Sequence, residues 1–419
     1  MLTLSIIKLS HKNRRAICGS HADLLFYGNF CGWCKQPVDR KSFFSLGQYT
    51  DHGVALYHSF FFMSKKAQNT NLHKAKVGKN DEFYTQLSDI EKELTYYQNH
   101  FKDKIVLCNC DDPRVSNFFH YFAYNFEYLG LKKLIAVCYK NQDMNLFSTN
   151  ESEKAVYLEY TGDKNGDNTP SIDEIAVKEL QGDGDFRSAE CIELLKQADI
   201  VVTNPPFSLF REYIGQLIEY NQKFLIIGNY NAVTYKEVFP FIKENKVWLG
   251  ASLDGRNIWF RIPDEYEKYH KIEDGIKYAF VASTIWYTNL DHNKRHEDII
   301  LYKTYYGNES YYPKYDNYDA INVDKVKDIP IDYTGIIGVP ITFLNKYNPE
   351  QFEILGTSDN WLVDDEFKRT PGLTKEFVDD YYKAGGTGAY KQGNPTAGYY
   401  ENNIAKMAYK RLFIKNKKL

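Results

Sequence analysis

The chain has 419 residues, with 52 lysines and arginines against 55 aspartates and glutamates, which gives a formal net charge of −3. This length allows two domains, and the near-neutral charge excludes a global basic field while permitting a local basic face for nucleic acid. No stretch of eighteen apolar residues occurs, so the sequence predicts no membrane span.

The first 62 residues mix Cys, His, aromatic and polar residues without a sustained period. Cys31 and Cys34 form an isolated C-x-x-C, which does not favour a zinc or thioredoxin-like site. The chain has seven cysteines, four of them in or beside apolar runs, which indicates a reduced, cytoplasmic protein. A polar, basic segment opens at Met63, as in many soluble proteins. We therefore predict that residues 1–62 are an N-terminal extension read from upstream codons and that Met63 is the true start.

Strands and helices alternate from about residue 79 to residue 250. Ser88 and Glu91 have the spacing of a capping box, which predicts a helix start. Apolar periodicity predicts further helices at 116–129, 189–197, 209–220 and 235–244, strands at 104–108, 133–139, 200–203, 224–228 and 247–250, and a hairpin of 155–160 with 175–180. This alternation predicts an α/β fold with a parallel sheet covered on both faces.

The alternation stops near residue 304. Tyr, Asn and Asp dominate 305–318, a Gly-rich stretch lies at 384–389, and the chain ends in a basic segment at 410–419. We therefore predict a domain at 63–303 that holds the catalytic site, followed by a smaller, irregular domain at 304–419.

The tetrapeptide Asn204, Pro205, Pro206 and Phe207 follows the apolar strand 200–203 directly. Ligands of α/β proteins bind at the carboxyl ends of such strands, and two prolines make the loop stiff. This pattern favours methyl transfer to an amino nitrogen conjugated with a ring or a carbonyl. The side chain of Asn204 and the carbonyl of Pro205 can accept the two N–H groups, and Phe207 can stack on a base. The alternative is an Asn-Pro turn before a helix.

Two acidic motifs are candidate cofactor contacts. Asp185 and Phe186 follow a Gly/Asp segment and can hold an adenine ring, although such a segment also forms plain turns. Asp111 and Asp112 follow the first strand, where a dinucleotide-binding fold has its glycine-rich turn. They can bind ribose or an amine, or they can cap the next helix.

Two aromatic segments are weaker candidates. Phe83, Tyr84 and Thr85 precede the first helix, where they can close over a cofactor or form a hydrophobic staple. Phe260 follows a late strand, where it can stack on an extruded base or belong to the core.

With these motifs in order, the chain resembles S-adenosylmethionine-dependent adenine-N6 DNA methyltransferases, and more narrowly the EcoRI-type methylases of type II restriction–modification systems. The resemblance runs from about residue 72 into the 350s. It rests on segments 81–86, 108–118, 182–188, 202–213, 312–319 and 338–342. It implies a Rossmann-like methyltransferase fold with a mixed, mainly parallel sheet and a target-recognition domain at 304–419.

The resemblance also implies roles for individual residues. Asn204 and Pro205 would hold the target amine, with Asn204 also near the cofactor, and Phe207 would stack on the base. Asp185 and Phe186 would hold the cofactor adenine. The segment from Phe83 through Tyr84 to Thr85 would contact the methionine end, and the turn at 108–113 would replace the glycine-rich loop.

The implied reaction is methylation of a flipped adenine in double-stranded DNA, with S-adenosylmethionine as cofactor and without a metal. A monomer in the cytoplasm is expected, with a partner restriction endonuclease that need not bind it physically. Two alternatives stay open: methylation of RNA adenine or of a protein glutamine by the same loop, and a catalytically silent DNA-binding relative.

Overall fold

A computed structural model describes residues 83–110, 116–137, 155–167, 169–252, 257–264, 266–358 and 372–419. The predicted extension 1–62, the predicted start at Met63 and the candidates Asp111 and Asp112 lie outside the described residues. All described residues belong to one compact unit.

The described chain contains eighteen strands and seven α-helices. The strands are β1 (Tyr84–Thr85), β2 (Ile105–Asn109), β3 (Lys133–Val137), β4 (Val156–Tyr160), β5 (Ile175–Glu179), β6 (Ile200–Thr203), β7 (Lys223–Asn229), β8 (Trp248–Leu249), β9 (Asn257–Arg261), β10 (Lys271–Glu273), β11 (Ile276–Ala282), β12 (Thr284–Thr288), β13 (Ala320–Asn322), β14 (Ile336–Pro340), β15 (Phe352–Thr357), β16 (Gly398–Glu401), β17 (Ile404–Met407) and β18 (Arg411–Asn416). The helices are α1 (Leu87–Leu94), α2 (Asn117–Tyr124), α3 (Phe126–Leu129), α4 (Ala189–Gln197), α5 (Phe210–Glu219), α6 (Phe239–Lys243) and α7 (Lys375–Lys383). None of the helices in these ranges is long and apolar enough to cross a membrane.

A central sheet of eight strands has the order β5-β4-β3-β2-β6-β7-β12-β8. β2 pairs in parallel with β3 and β6, and β6 pairs in parallel with β7. The antiparallel hairpin of β4 and β5 extends one side, and the antiparallel strands β12 and β8 extend the other. The predicted α/β fold and the predicted hairpin are thus confirmed, with the parallel strands at the centre of a mixed sheet.

Helices cover the central sheet on both faces. Val201 and Ile226 belong to one buried cluster together with α4, α5 and α6. Their neighbours Val202 and Leu225 belong to a second cluster together with α1, α2 and α3. Because successive side chains of a strand point to opposite faces, near-continuous apolar strands are what this arrangement requires.

The helix boundaries follow local chemistry in some places and not in others. α4 begins after Ser188, whose hydroxyl accepts a hydrogen bond from the Cys191 amide at 3.2 Å. The predicted capping box is wrong, because Gln86 occupies the N-cap of α1 without a side-chain bond and Ser88 lies inside the helix. The predicted helix at 116–129 is divided at Asn125 into α2 and α3. The predicted helix at 235–244 is shortened to α6, whose first turn holds Pro240.

A second, antiparallel sheet has the order β1-β9-β11-β10. Thr85 of β1 lies opposite Phe260 of β9, although 175 positions separate them in the sequence. The side chain of Gln86 adds a bond of 2.7 Å to the carbonyl of Trp259. This sheet places the segment before α1 beside β9.

The C-terminal part contains a sheet of order β13-β14-β18-β15, the hairpin of β16 and β17, and helix α7. Part of its core, including Ile337 and Ile414, belongs to the same buried cluster as α5 and α6, and the rest forms two smaller clusters. The predicted division of the chain at residue 304 stays a prediction.

A buried carboxylate joins α1 to the segment after β8. Glu93 is fully buried, and its Oε1 accepts hydrogen bonds from the Tyr97 hydroxyl at 2.8 Å and the Ala251 amide at 2.7 Å. Its Oε2 accepts from the Ser252 amide at 2.7 Å and from the Ser252 hydroxyl. A Cβ at Gly250 would collide with this carboxylate, so the close approach requires glycine there.

We expect Glu93→Ala to lower the free energy of unfolding by at least about 3 kcal/mol, because it leaves several buried donors without an acceptor. The control is Glu91→Ala on the exposed face of the same helix, expected within about 0.5 kcal/mol of the parent. Chemical denaturation measures both variants. Equal stability of the two variants would contradict the assigned role of the carboxylate.

Candidate active site at the carboxyl ends of the central strands

The parallel strands reverse their order of succession between β2 and β6. The chain passes from β2 to β3 on one side and later returns to place β6 on the other side of β2. In open α/β sheets, ligands bind at the carboxyl ends of strands at such a switch point. The tetrapeptide that starts at Asn204 follows β6 at this position.

Hydrogen bonds hold the ends of β2 and β6 together. The hydroxyl of Thr203 donates to the carbonyl of Asn109, and the hydroxyl of Tyr213 on α5 donates to the Asn109 side-chain oxygen. All three residues are buried, and burial raises the pKa of the Tyr213 hydroxyl well above its ordinary value. The hydroxyl therefore remains a proton donor, and the strand end before Asn204 is fixed in place.

The side chain of Asn204 has a defined orientation. Its Nδ2 donates to the carbonyl of Phe83 at 2.6 Å, and a carbonyl can only accept. The amide oxygen must therefore point the other way. That Oδ1 atom is buried and has no hydrogen-bond partner among the described residues. The amide is thus an oriented acceptor, which is the property that the tetrapeptide predicts.

The carbonyls of the two prolines differ in their hydrogen bonding. The carbonyl of Pro206 accepts from the Leu209 amide at 2.9 Å, which starts a short 3-10 turn at Phe207–Leu209. The buried Pro205 makes no such bond, and within the described part of the chain its carbonyl accepts no hydrogen bond. The carbonyl of Pro205 is therefore available as a second acceptor beside Asn204.

Side-chain amides hold the free edge of β1. Asn204 binds the carbonyl of Phe83, and Asn117 at the start of α2 donates to the carbonyl of Thr85 at 2.7 Å. The hydroxyl oxygen of Thr85 is buried and unpaired within the described chain. Two buried polar atoms without partners, on Thr85 and Asn204, thus belong to one small group of bonded residues.

Three of the predicted aromatic residues pack together. The ring centroid of Phe83 lies 5.8 Å from that of Phe207 and 5.6 Å from that of Phe260. Phe207 is half-buried, whereas Phe260 is fully buried and presents an edge contact to Phe207 at 6.2 Å. The predicted stacking of Phe260 on a base needs correction, because a buried ring has no free face. Phe260 instead packs beneath the surface against the rings of Phe83 and Phe207.

Asp185 and Phe186 interact with a neighbour that the sequence did not single out. The carboxylate of Asp185 accepts from the Arg187 side chain at 2.9 and 2.6 Å, and this ion pair lowers the pKa of Asp185. Phe186 is buried, its ring centroid 5.0 Å from that of Tyr213, and the guanidinium of Arg187 lies 5.2 Å from its centroid. Their adenine-binding role stays a prediction, and any ligand there has to share Asp185 with Arg187.

The comparisons with known proteins decide the family. A model of the family described as adenine-specific methyltransferase EcoRI matches residues 71–417. The chain belongs to this family. The predicted enzyme class and the predicted class of methyltransferase fold are thereby confirmed.

Three relatives of this EcoRI-type methyltransferase match the chain over most of their own length. The type II methyltransferase M.EcoRI of Escherichia coli is 58% identical over 298 residues, which span 70% of the chain and 90% of the relative. M.MgeORF184P of Mycoplasma genitalium is 41% identical over 293 residues, 68% of the chain and 85% of the relative. M.MpnI of Mycoplasma pneumoniae is 41% identical over 289 residues, 68% of the chain and 84% of the relative. No solved structure matches the chain.

One cavity lies elsewhere in this methyltransferase. It is a pocket at the β8 edge of the sheet, and its lining includes Trp248, His292, Arg295 and Tyr347. None of the predicted site residues contributes to it. The segments 111–115 and 138–154, which follow β2 and β3, lie outside the described residues, so the space beside Asn204 is described only on the side of β1 and β6.

The methyltransferase carries a backbone anomaly where other nucleotide-binding folds have glycine. Cys110 follows β2 directly and has φ 103°, in the left-handed region that favours glycine. Its amide donates to the carbonyl of Val137 at 3.3 Å. Strain of this kind is commonly found at functional sites. Cys110 thus has a backbone conformation that favours glycine, although no glycine marks this position in the sequence.

We expect Cys110→Gly to be more stable than Cys110→Ala by about 1 kcal/mol, because both lose the thiol and only glycine relieves the positive φ. The comparison of the two variants cancels the contacts of the sulfur. Denaturant midpoints and slopes measure the difference. A more stable alanine variant would contradict the assigned strain.

Proposed function

We propose that the protein transfers a methyl group from S-adenosylmethionine to the N6 amine of a flipped adenine in double-stranded DNA. The observation that carries the proposal is the buried, unpaired Oδ1 of Asn204, which the bond to Phe83 turns away from β1. A buried acceptor without a partner costs about 1–3 kcal/mol, and a bound N–H donor removes that cost.

The two acceptors suit an exocyclic amine. The lone pair of adenine N6 is delocalised into the ring, so the nitrogen is a poor nucleophile. Asn204 Oδ1 and the carbonyl of Pro205 can each accept one N–H, which draws the nitrogen towards tetrahedral geometry and frees its lone pair. Because Asn204 is bonded to Phe83 and Pro205 has a fixed φ, neither acceptor has to reorganise during the reaction.

The residues around β1 suit the cofactor. S-adenosylmethionine supplies a methyl group that is already activated by its sulfonium, so the protein has only to bind and align. The unpaired hydroxyl of Thr85 and the backbone from Phe83 to Thr85 can bind its methionine end beside Asn204. Asp185 retains a lone pair that can accept from an adenine amine, and its lowered pKa keeps it ionised.

Phe207 suits a base that has left the duplex. Extrusion costs a few kcal/mol, and stacking on an aromatic ring returns about 1–3 kcal/mol. Phe207 adjoins the two acceptors in sequence and is half-exposed, while Phe83 and Phe260 support its ring. The amine of a base stacked on Phe207 can then reach Asn204.

The three relatives are named type II methyltransferases. By analogy we propose that this protein marks one DNA sequence and thereby protects it from a restriction endonuclease of the same specificity, which need not bind it physically. We further propose that it acts as a monomer in the cytoplasm, with residues 304–419 contributing to target recognition.

The test of this function is long-read sequencing of DNA from cells that express the protein. We expect N6-methyladenine in one sequence context at most of its occurrences, and none in cells that express Asn204→Ala. The purified protein should also transfer labelled methyl groups to DNA rather than to RNA or protein. Incorporation into RNA or protein with unmodified DNA would overturn the proposal in favour of the other methyl acceptors.

We expect Asn204→Ala to lower kcat by at least about a hundredfold, because it removes an acceptor that acts in the transition state. Affinity for S-adenosylmethionine, measured by calorimetry, should change by less than about threefold. Such a change is a small difference in binding free energy.

The matched control is Asn289→Ala. Asn289 is a half-buried amide whose oxygen and nitrogen are both bonded within the protein, to Phe224 at 2.8 Å and Gln222 at 2.8 Å. It should lose stability and keep kcat. Comparable activity of the two variants would exclude the assigned role of Asn204.

A further inference from the structure

The antiparallel sheet beside the site carries a regular row of side chains on its outer face. Tyr84 of β1 lies opposite Arg261 of β9, Arg261 lies opposite Tyr278 of β11, and Tyr278 lies opposite Lys271 of β10. Paired residues of neighbouring strands share a face of the sheet. Aromatic and cationic residues thus alternate across all four strands, and we call these four residues the Tyr-Arg row.

The burial pattern shows which way the row faces. Phe260 and Ala279, which pair with each other one position along, are buried against the catalytic core. Side chains on the other face alternate with them. Arg261 is accordingly exposed, and Tyr278 and Lys271 are half-exposed.

The two cations of the row differ. The ammonium of Lys271 lies 5.0 Å from the ring centroid of Tyr278 and donates to Glu273 at 2.6 Å, so its charge is partly neutralised. The guanidinium of Arg261 forms no ion pair or hydrogen bond with any described residue. Among the described residues, Arg261 is therefore a positive charge without an ion-pair partner, and its strand lies between those of Tyr84 and Tyr278.

The row begins on β1, the edge strand that borders the proposed active site, and it lies on the face opposite to the Thr85 side chain. Tyr84 lies between Phe83, whose carbonyl binds Asn204, and Thr85, whose hydroxyl is unpaired. A DNA strand whose reacting adenine is bound at Asn204 can pass the edge strand β1 and reach this outer face. The outer face combines a free cation with aromatic surface, which is the chemistry that binds a nucleic-acid backbone with its sugars and bases.

We propose that the Tyr-Arg row binds the DNA strand that flanks the target adenine. Arg261 pairs with a backbone phosphate, and Tyr84 and Tyr278 pack against the neighbouring sugars or bases. Such contacts fix the position of the DNA without selecting its sequence. This inference rests on the proposed function and adds a DNA-binding surface within residues 83–282, outside the segment predicted for target recognition.

The experiment measures DNA affinity at several salt concentrations for the parent and for Arg261→Ala, Arg261→Glu and Arg261→Lys. Loss of one phosphate contact should weaken binding about tenfold and reduce the slope of log K against log salt by about 1. Arg261→Glu should weaken binding further, and Arg261→Lys should retain most of the affinity. Affinity for S-adenosylmethionine, kcat at saturating DNA and the methylated sequence should stay unchanged.

The control is Lys132→Ala, an exposed cation just before β3, at the amino ends of the parallel strands and so at the opposite end of the sheet from Asn204. It should bind DNA as the parent does. Parental affinity and salt slope in Arg261→Glu, in a protein that methylates DNA, would overturn the inference and leave the proposed function intact. A parent protein that methylates no DNA would instead overturn the proposed function, and the inference with it.

Discussion

The hydrogen bond from the Asn204 side chain to the Phe83 carbonyl is the interaction on which the proposed site depends. It joins residues 121 positions apart and links the central sheet to the edge strand β1. Because a carbonyl accepts and never donates, the bond also decides which amide atom points away from β1. One contact therefore positions the segment assigned to the cofactor and orients the acceptor assigned to the substrate.

The residues around that bond include both packed segments that stabilise the fold and features that cost free energy. Apolar clusters on both faces of the central sheet and the buried bonds of Asn109 hold the ends of β2 and β6. Against this rigid background, two of the six buried polar side-chain atoms that lack a hydrogen-bond partner in the described chain belong to Thr85 and Asn204, and Cys110 has φ 103°. Such features cost about 1–3 kcal/mol each, and these three belong to the segments that carry the proposed site.

Features set by local sequence were predicted well. The strand at 200–203 and the helix at 189–197 have the predicted bounds, because an apolar run ends at prolines and a serine caps the helix. Features set by distant partners were not predicted. The pairing of β1 with β9, the burial of Phe260 and the bond of Asn204 to Phe83 join segments more than a hundred residues apart. Pro240 could have revealed the late start of α6, and Arg187 could have been noted as a partner for Asp185.

The central claim is that Asn204 Oδ1 and the Pro205 carbonyl bind the target amine together. The most direct test is a crystal structure of the protein with the demethylated cofactor and a DNA duplex that contains the target sequence with an unmodified adenine. The account predicts adenine N6 at about 3 Å from both oxygens, with Asn204 Nδ2 still bonded to Phe83. An adenine amine bonded to neither oxygen, or an Asn204 amide turned so that its nitrogen faces the base, would contradict the account.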